Sequence, residues 1–201
     1  FGGGNFSSFM PSTSLFFPKR LQGTALGIQA GVGNFGVSLV QFLVPWLITL
    51  GTLGALLGGG QAFTKGGKTS TLFLQNAALF WVPLVVVGGI WAWIKLRDVP
   101  VRATFSQQLD IFKEKHNWVM TSLYVMTFGS FSGFSATFPL LIKKVYGKFD
   151  GAPDPLAYAF LGPLVGSIIR VVFGPISDRL GGSVVTALSG VGLVISAIAV
   201  T

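Results

Sequence analysis

Arg170 stands deep in the uninterrupted apolar run from Leu156 to Ser177. A guanidinium held at the centre of a hydrocarbon layer costs about 2.5–3.5 kcal/mol even on lenient scales, so it must face a helix-bundle interior or a water-filled cavity. Gly162, Gly166, Arg170 and Gly174 recur at every fourth residue, which aligns them along one side of a helix. The arginine therefore belongs to the smallest-residue face, where another helix or a ligand can approach closely. Its planar fork can donate two near-parallel hydrogen bonds to a flat anion, which a point charge cannot do. The competing reading is an arginine that snorkels to the inner interface or pairs with a carbonyl.

Two further runs carry matching faces. Gly23, Gly27 and Gly31 lead to Asn34 and Ser38 along one side of the run from Thr24 to Leu50. The glycines need only mean close helix packing, whereas the amide of Asn34 is a polar group that packing does not require. In Trp118 to Ile142, Tyr124 and Phe128 are four apart and are followed by Ser132 and Ser135. That stripe is either core or one wall of a binding site. Acid–base and metal chemistry find little support: His116 is the sole histidine, in a charged helix entrance beside Lys113, Glu114 and Lys115. All six carboxylates, Asp98, Asp110, Glu114, Asp150, Asp154 and Asp178, lie outside the apolar runs, leaving neither a paired-carboxylate site nor an intramembrane proton relay. The sequence has no cysteine, which removes disulfides and thiolate metal sites. An enzyme is not expected, and neither is a cofactor.

The elements that position these residues are membrane spans. Of the 201 residues 51% are hydrophobic and 10% charged, with a mean hydropathy of +0.70, and the apolar residues fall in blocks. About 20 apolar residues cross a bilayer core. Thr24 to Leu50, Leu74 to Ile94, Trp118 to Ile142 and Leu156 to Ser177 reach that length, Ser183 to Val200 makes a fifth, and Phe1 to Phe17 reads as the tail of another. The chain is expected to be an all-α, multi-pass membrane protein and a fragment of a longer one, in contact with lipid. The net charge of +8 sits in short connections, so it reports topology and not a nucleic-acid partner. With Lys19 and Arg20 inside, eight basic residues lie inside against five outside, a moderate positive-inside bias. Gly51 to Leu72, rich in Gly and Thr, reads as an outer loop, and Lys95 to His116 as a charged inner linker in which Asp98, Val99 and Pro100 break any helix.

Several stretches resemble the nitrate/nitrite porter family of the major facilitator superfamily. They are Gly2-Gly3-Gly4-Asn5-Phe6-Ser7-Ser8-Phe9-Met10, Phe16-Phe17-Pro18-Lys19, and Gly23-Thr24-Ala25-Leu26-Gly27 through Gly31-Val32-Gly33-Asn34-Phe35-Gly36-Val37-Ser38, which is similar to that family's first signature. Tyr124 to Phe131, Gly133 to Ala136, Tyr158-Ala159-Phe160 and Gly162-Pro163 resemble its seventh and eighth helices. Gly174-Pro175-Ile176-Ser177-Asp178-Arg179-Leu180-Gly181-Gly182 is similar to the loop motif of the wider superfamily.

The resemblance implies a twelve-helix transporter of the cell (inner) membrane, of which this stretch runs from the end of helix 4 into helix 9. Residues 1–94 would close the first six-helix bundle, 95–116 would be the cytoplasmic linker, and 117–201 would open the second bundle, the remaining helices lying outside this stretch. It further implies nitrate or nitrite as the anion, bound between two arginines, one per half. Arg170 matches the arginine of the eighth helix, Phe6, Tyr124 and Phe128 match aromatic site positions, and Gly31 and Asn34 belong to the signature. Gly174, Asp178, Arg179 and Gly181 would form the conformational motif, bracing one state of an alternating-access cycle. Gln29-Ala30 departs from the Asn-Gly of many members but keeps an amide. Whether a proton or a counter-anion is coupled stays open. A transporter of another small anion or organic acid, and a non-transporting receptor or assembly subunit, are the competing functions.

Overall fold

A computed structural model describes the backbone of residues 2–51, 58–65, 67–97 and 104–200; the side chains of residues 2–8, Lys65 and Val200 fall outside the description. The helices are α1 (Gly2–Phe16), α2 (Gln22–Leu47), α3 (Asn76–Leu79), α4 (Trp81–Lys95), α5 (Phe105–Leu109), α6 (Lys115–Tyr146), α7 (Pro155–Tyr158), α8 (Leu161–Leu180) and α9 (Gly182–Val200). Among the described residues, five stretches are long and apolar enough to cross a membrane: Lys19–Leu47, Asn76–Lys95, Lys115–Tyr146, Pro155–Leu180 and Gly182–Ala199. They coincide with the five expected spans. Several extend a turn further, because Lys115 and Arg179 continue a helix into the headgroup region at no cost to backbone pairing.

The distribution of side chains is that of a protein in lipid. Among the buried residues are Ala30, Ser38, Ser135, Ile142, Ala159 and Ser167, mostly small, while large residues such as Val85, Trp93, Val125 and Ile198 point outward. Between helices in a bilayer, small residues permit close backbone approach, and the apolar bulk is better spent against acyl chains.

The chain forms two units. In the unit of residues 39–99, the end of α2 is tied to α3 by Asn76, whose buried amide nitrogen donates to Leu47 O at 3.1 Å and Leu50 O at 2.6 Å, satisfying carbonyls that a helix C-terminus leaves open. The same unit holds a β-hairpin, β1 (Gln61–Lys65) antiparallel to β2 (Lys68–Leu72), with Gln61 opposite Leu72 and Lys65 opposite Lys68. This hairpin lies within the 51–72 stretch read as an outer loop. Thr64, Thr69 and Thr71 favour extended backbone, and Gly67, at φ +77°, supplies a turn conformation that β-branched residues avoid. Residues 52–57 and 98–103, the latter containing the expected helix breakers, lie outside the described residues.

The unit of residues 1–38 and 100–201 contains α1, the first part of α2, and α5 to α9. Gln29 serves packing within it: its side chain bonds Thr13 Oγ1 at 2.5 Å and donates to Phe9 O, both on α1. Gly181, at φ +90°, ends α8, its N–H donating to Ser177 O at 2.9 Å, and turns the chain directly into α9.

Candidate functional site

Within this second unit α2, α6, α8 and α9 line an open-sided cavity of about 440 Å3. Arg170, half-buried at mid-helix on α8, is one of its walls. α6 contributes Tyr124, Thr127, Phe128 and Phe131 to the same walls. Tyr124 and Phe128 are stacked, ring centroids 5.3 Å apart and planes 6° from parallel, and Phe131 follows at 6.2 Å from Phe128. Asn34 of α2 lines the same space. A guanidinium, an amide and a flat aromatic wall thus share one cavity, the set that suits a small planar anion: donors for its edge and π surfaces flanking its faces.

The helices can stand this close because of glycine. A Cβ on Gly27 would lie 2.9 Å from Gly174 Cα and 3.1 Å from Arg170 O, and one on Gly31 would lie 2.9 Å from Ser167 O. The Gly23, Gly27 and Gly31 stripe of α2 is therefore a backbone-to-backbone crossing with α8. On the other flank, Gly166 of α8 admits the ring of Phe131, which a Cβ there would meet at 2.9 Å. Ser38 Oγ donates to Phe160 O at 2.9 Å and fastens the far end of the crossing.

At the end nearer Gly181, Asp178 faces the start of α2. Its carboxylate accepts from Gly23 N at 2.7 Å, Thr24 N at 2.7 Å and Thr24 Oγ1 at 2.6 Å. The first N–H groups of a helix have no intrahelical partner and carry the positive end of its dipole, so a residue 154 positions away in sequence caps α2 as a local N-cap side chain would. Arg179 is exposed, and Gly174 takes part in both the crossing and the cavity wall.

The structure thus brings Arg170, Tyr124, Phe128 and Asn34 to one cavity, and places Gly31 in the helix crossing and Asp178 at the α2 cap. Phe6 lies on α1, its side chain outside the described residues. Ser132 is exposed, and Ser135 is buried with its hydroxyl on Phe131 O. Repeated four-residue steps drift around a helix of 3.6 residues per turn, so the face continues through Thr127 and Phe131. Sequence reasoning missed Ser177, Thr186 and Ser189, which also line the cavity. The spacing of Ser177 seven residues after Arg170 was the available signal; α9 offered only two hydroxyls three apart.

Five apolar helical stretches among the described residues, with a charged residue lining a cavity between helices, define a multi-pass membrane protein. The family profile described as Major Facilitator Superfamily matches residues 1–201, and the chain belongs to that superfamily. It is 66% identical over its whole length to a Thermus thermophilus protein named "Probable nitrate/nitrite antiporter NarK2", covering 45% of that protein. It is 42% identical over 94% of its length to "Nitrate/nitrite transporter NarU" of Escherichia coli strain K12, covering 40% of it. A "Nitrite extrusion protein" of Bacillus subtilis strain 168 is 23% identical over 89% of the chain. The chain spans less than half the length of these relatives. The resemblance to the nitrate/nitrite porters is borne out by them, and all three are named for transport, none as an enzyme.

Proposed function

We propose that the complete protein moves nitrate, nitrite or both across the cell membrane by alternating access, with Arg170 as a central anion ligand. The observation that carries this reading is the shared cavity of Arg170 and the stacked Tyr124–Phe128 pair. Nitrate is flat and spreads one negative charge over three oxygens, so the guanidinium fork takes two of them while the rings cover a face. Asn34 adds an amide to the same cavity. The names of the relatives at 66% and 42% identity support the same substrate class.

In this reading residues 1–94 and 117–201 belong to two six-helix halves joined by the cytoplasmic linker 95–116. The cycle opens and closes the contact of α2 with α8. The Asp178 cap and the glycine crossing then brace the state that is shut at the cytoplasmic end. Among the described residues no carboxylate lines the cavity, which favours exchange of one anion for another over proton coupling through this site.

Counterflow of labelled nitrate in proteoliposomes of the complete protein tests the reading. Trans-acceleration by nitrate and nitrite, with weak competition by chloride, sulfate or small carboxylates, is the expected result. Stronger competition by a carboxylate would assign the same architecture to an organic acid, and absence of any anion-dependent flux would refute transport.

A further inference from the structure

The cavity holds three hydroxyls that the anion site proposed above does not use: Ser177 of α8, and Thr186 and Ser189 of α9. A single residue, Gly181, joins α8 to α9, so positions on both helices can be measured from one turn. At about 1.5 Å of rise per residue, Ser177 stands about 6 Å from that turn, Thr186 about 8 Å, Ser189 about 12 Å and Arg170 about 16 Å. The hydroxyls therefore occupy the part of the cavity between Arg170 and its Gly181 end, at axial intervals of about 5 Å or less. In the proposed orientation this is the cytoplasmic end.

Their hydrogen bonding leaves them available to a ligand. Thr186 Oγ1 donates to Gly182 O at 2.8 Å and Ser189 Oγ to Val185 O at 2.9 Å, the bond to the preceding turn that a helical Ser or Thr adopts. Rotation about χ1 exchanges that carbonyl for another acceptor, so either hydroxyl can give its proton to a passing anion and return to the carbonyl afterwards. Among the described residues Ser177 Oγ has no hydrogen-bond partner, and its proton is already free.

Charge decides what such a row can do. Among the described residues Arg170 is the only charged side chain lining the cavity, and Ile169 and Phe173 are apolar parts of the same wall. Asp178, next to Ser177, is turned to Gly23 and Thr24 at the start of α2. An anion leaving Arg170 in this direction thus meets neutral donors. A path conducts when each position binds well enough to admit the ion and weakly enough to let it go. A second cation would hold the anion, and a wholly apolar wall would leave it without partners.

We propose that Ser189, Thr186 and Ser177 are the release steps of the anion path, handing nitrate or nitrite between Arg170 and the cytoplasmic mouth through successive hydroxyl hydrogen bonds. The inference rests on the transport reading given above. The three hydroxyls set how fast the anion crosses this half of the cavity and leave its equilibrium binding at Arg170 unchanged.

The test is counterflow of labelled nitrate in uniformly oriented proteoliposomes of the full-length protein, with nitrate varied on one face at a time. It compares the parent with the triple variant Ser177→Ala, Thr186→Val, Ser189→Ala. Ser122→Ala is the control: Ser122 makes the same bond to the preceding turn, at 2.9 Å from Trp118 O, but lies outside the cavity lining. A hydrogen bond to a charged group is strong enough to change a rate about 10-fold, and the triple variant is expected to exchange nitrate more slowly by about that factor. Its half-saturation should rise on the cytoplasmic face alone, with calorimetric nitrate affinity unchanged. Thr186→Ser, which keeps the hydroxyl, should exchange faster than Thr186→Val. Exchange at the parental rate by the triple variant would overturn the proposal. So would a half-saturation raised on both faces, or a fall in affinity that matches the fall in rate, which would make these hydroxyls ligands of the bound anion. If the triple variant does not fold, Ser177→Ala, which has no internal bond to lose, is judged in the same assay by the same criteria. Absence of nitrate exchange by the parent would instead refute the transport reading itself.

Discussion

In the proposed alternating-access cycle, Gly27→Ala should release the closure at the cytoplasmic end while leaving the fold intact. The added methyl would lie 2.9 Å from Gly174 Cα and 3.1 Å from Arg170 O, about 0.5 Å and 0.3 Å short of the 3.4 Å at which ordinary contact begins. Both obstacles are backbone of α8, which cannot rotate away, so α2 and α8 must separate along the whole crossing. Overpacking of this size costs about 1–3 kcal/mol, and the cost falls only on the state in which the helices touch. At about 1.4 kcal/mol per tenfold, the equilibrium between closed and open cytoplasmic ends shifts roughly 5-fold to 150-fold toward open. Gly33→Ala is the control, since nothing lies within 4 Å of a Cβ there and both changes carry the same gain in helix propensity. Double electron–electron resonance between labels near Arg20 and Leu180 in the full-length protein reads the two populations. A shift for Gly27→Ala with none for Gly33→Ala is expected. If the two variants give the same distribution, the glycine crossing is not what holds this end shut.

Asp178→Asn should change nitrate turnover more than nitrate affinity, because it weakens the cap on Gly23 and Thr24 while leaving Arg170, Tyr124 and Phe128 in place; a severalfold fall in equilibrium affinity at unchanged turnover would show the assignment to be wrong. Thr24→Val removes one of the three donors to that carboxylate and should move turnover in the same direction by less, as measured by initial-rate uptake. Tyr124→Phe keeps the ring stacked on Phe128 and loses one hydroxyl, so nitrate affinity by calorimetry should fall by less than for any change at Arg170; an unfolded or non-binding variant would contradict a wall role for the ring.

Much of this organisation is legible in the sequence because the bilayer imposes it. A span must be apolar for about 20 residues whatever it packs against, so α2, α6, α8 and α9 could be located without neighbours. Arg170 stood out because the same environment makes its presence expensive. The hairpin was harder. Its strands are short and polar, and the threonines that favour extended backbone sit in a Gly-rich stretch that also reads as loop. Helix-to-helix relations were not legible at all: nothing in Asp178 announces Thr24, 154 residues away, and the same four-residue glycine spacing marks both the crossing partners of α2 and the cavity wall of α8. The hydroxyls Thr186 and Ser189 gain meaning only from the turn at Gly181, which folds α9 back beside α8.

The central claim is that Arg170 holds the anion by its planar fork, and Arg170→Lys tests it most directly. Lysine keeps the positive charge and can also snorkel, but its compact ammonium cannot make the two parallel hydrogen bonds of a guanidinium. A charge-assisted hydrogen bond contributes about 1.5–3 kcal/mol, so losing one of two predicts a fall in nitrate affinity of roughly 10-fold to 100-fold in the purified, folded full-length protein. Isothermal titration of nitrate into parent and variant, with folding checked by thermal unfolding, makes the measurement. A Lys variant that folds and binds nitrate as tightly as the parent would contradict the account, because Arg170 would then not be the anion's ligand.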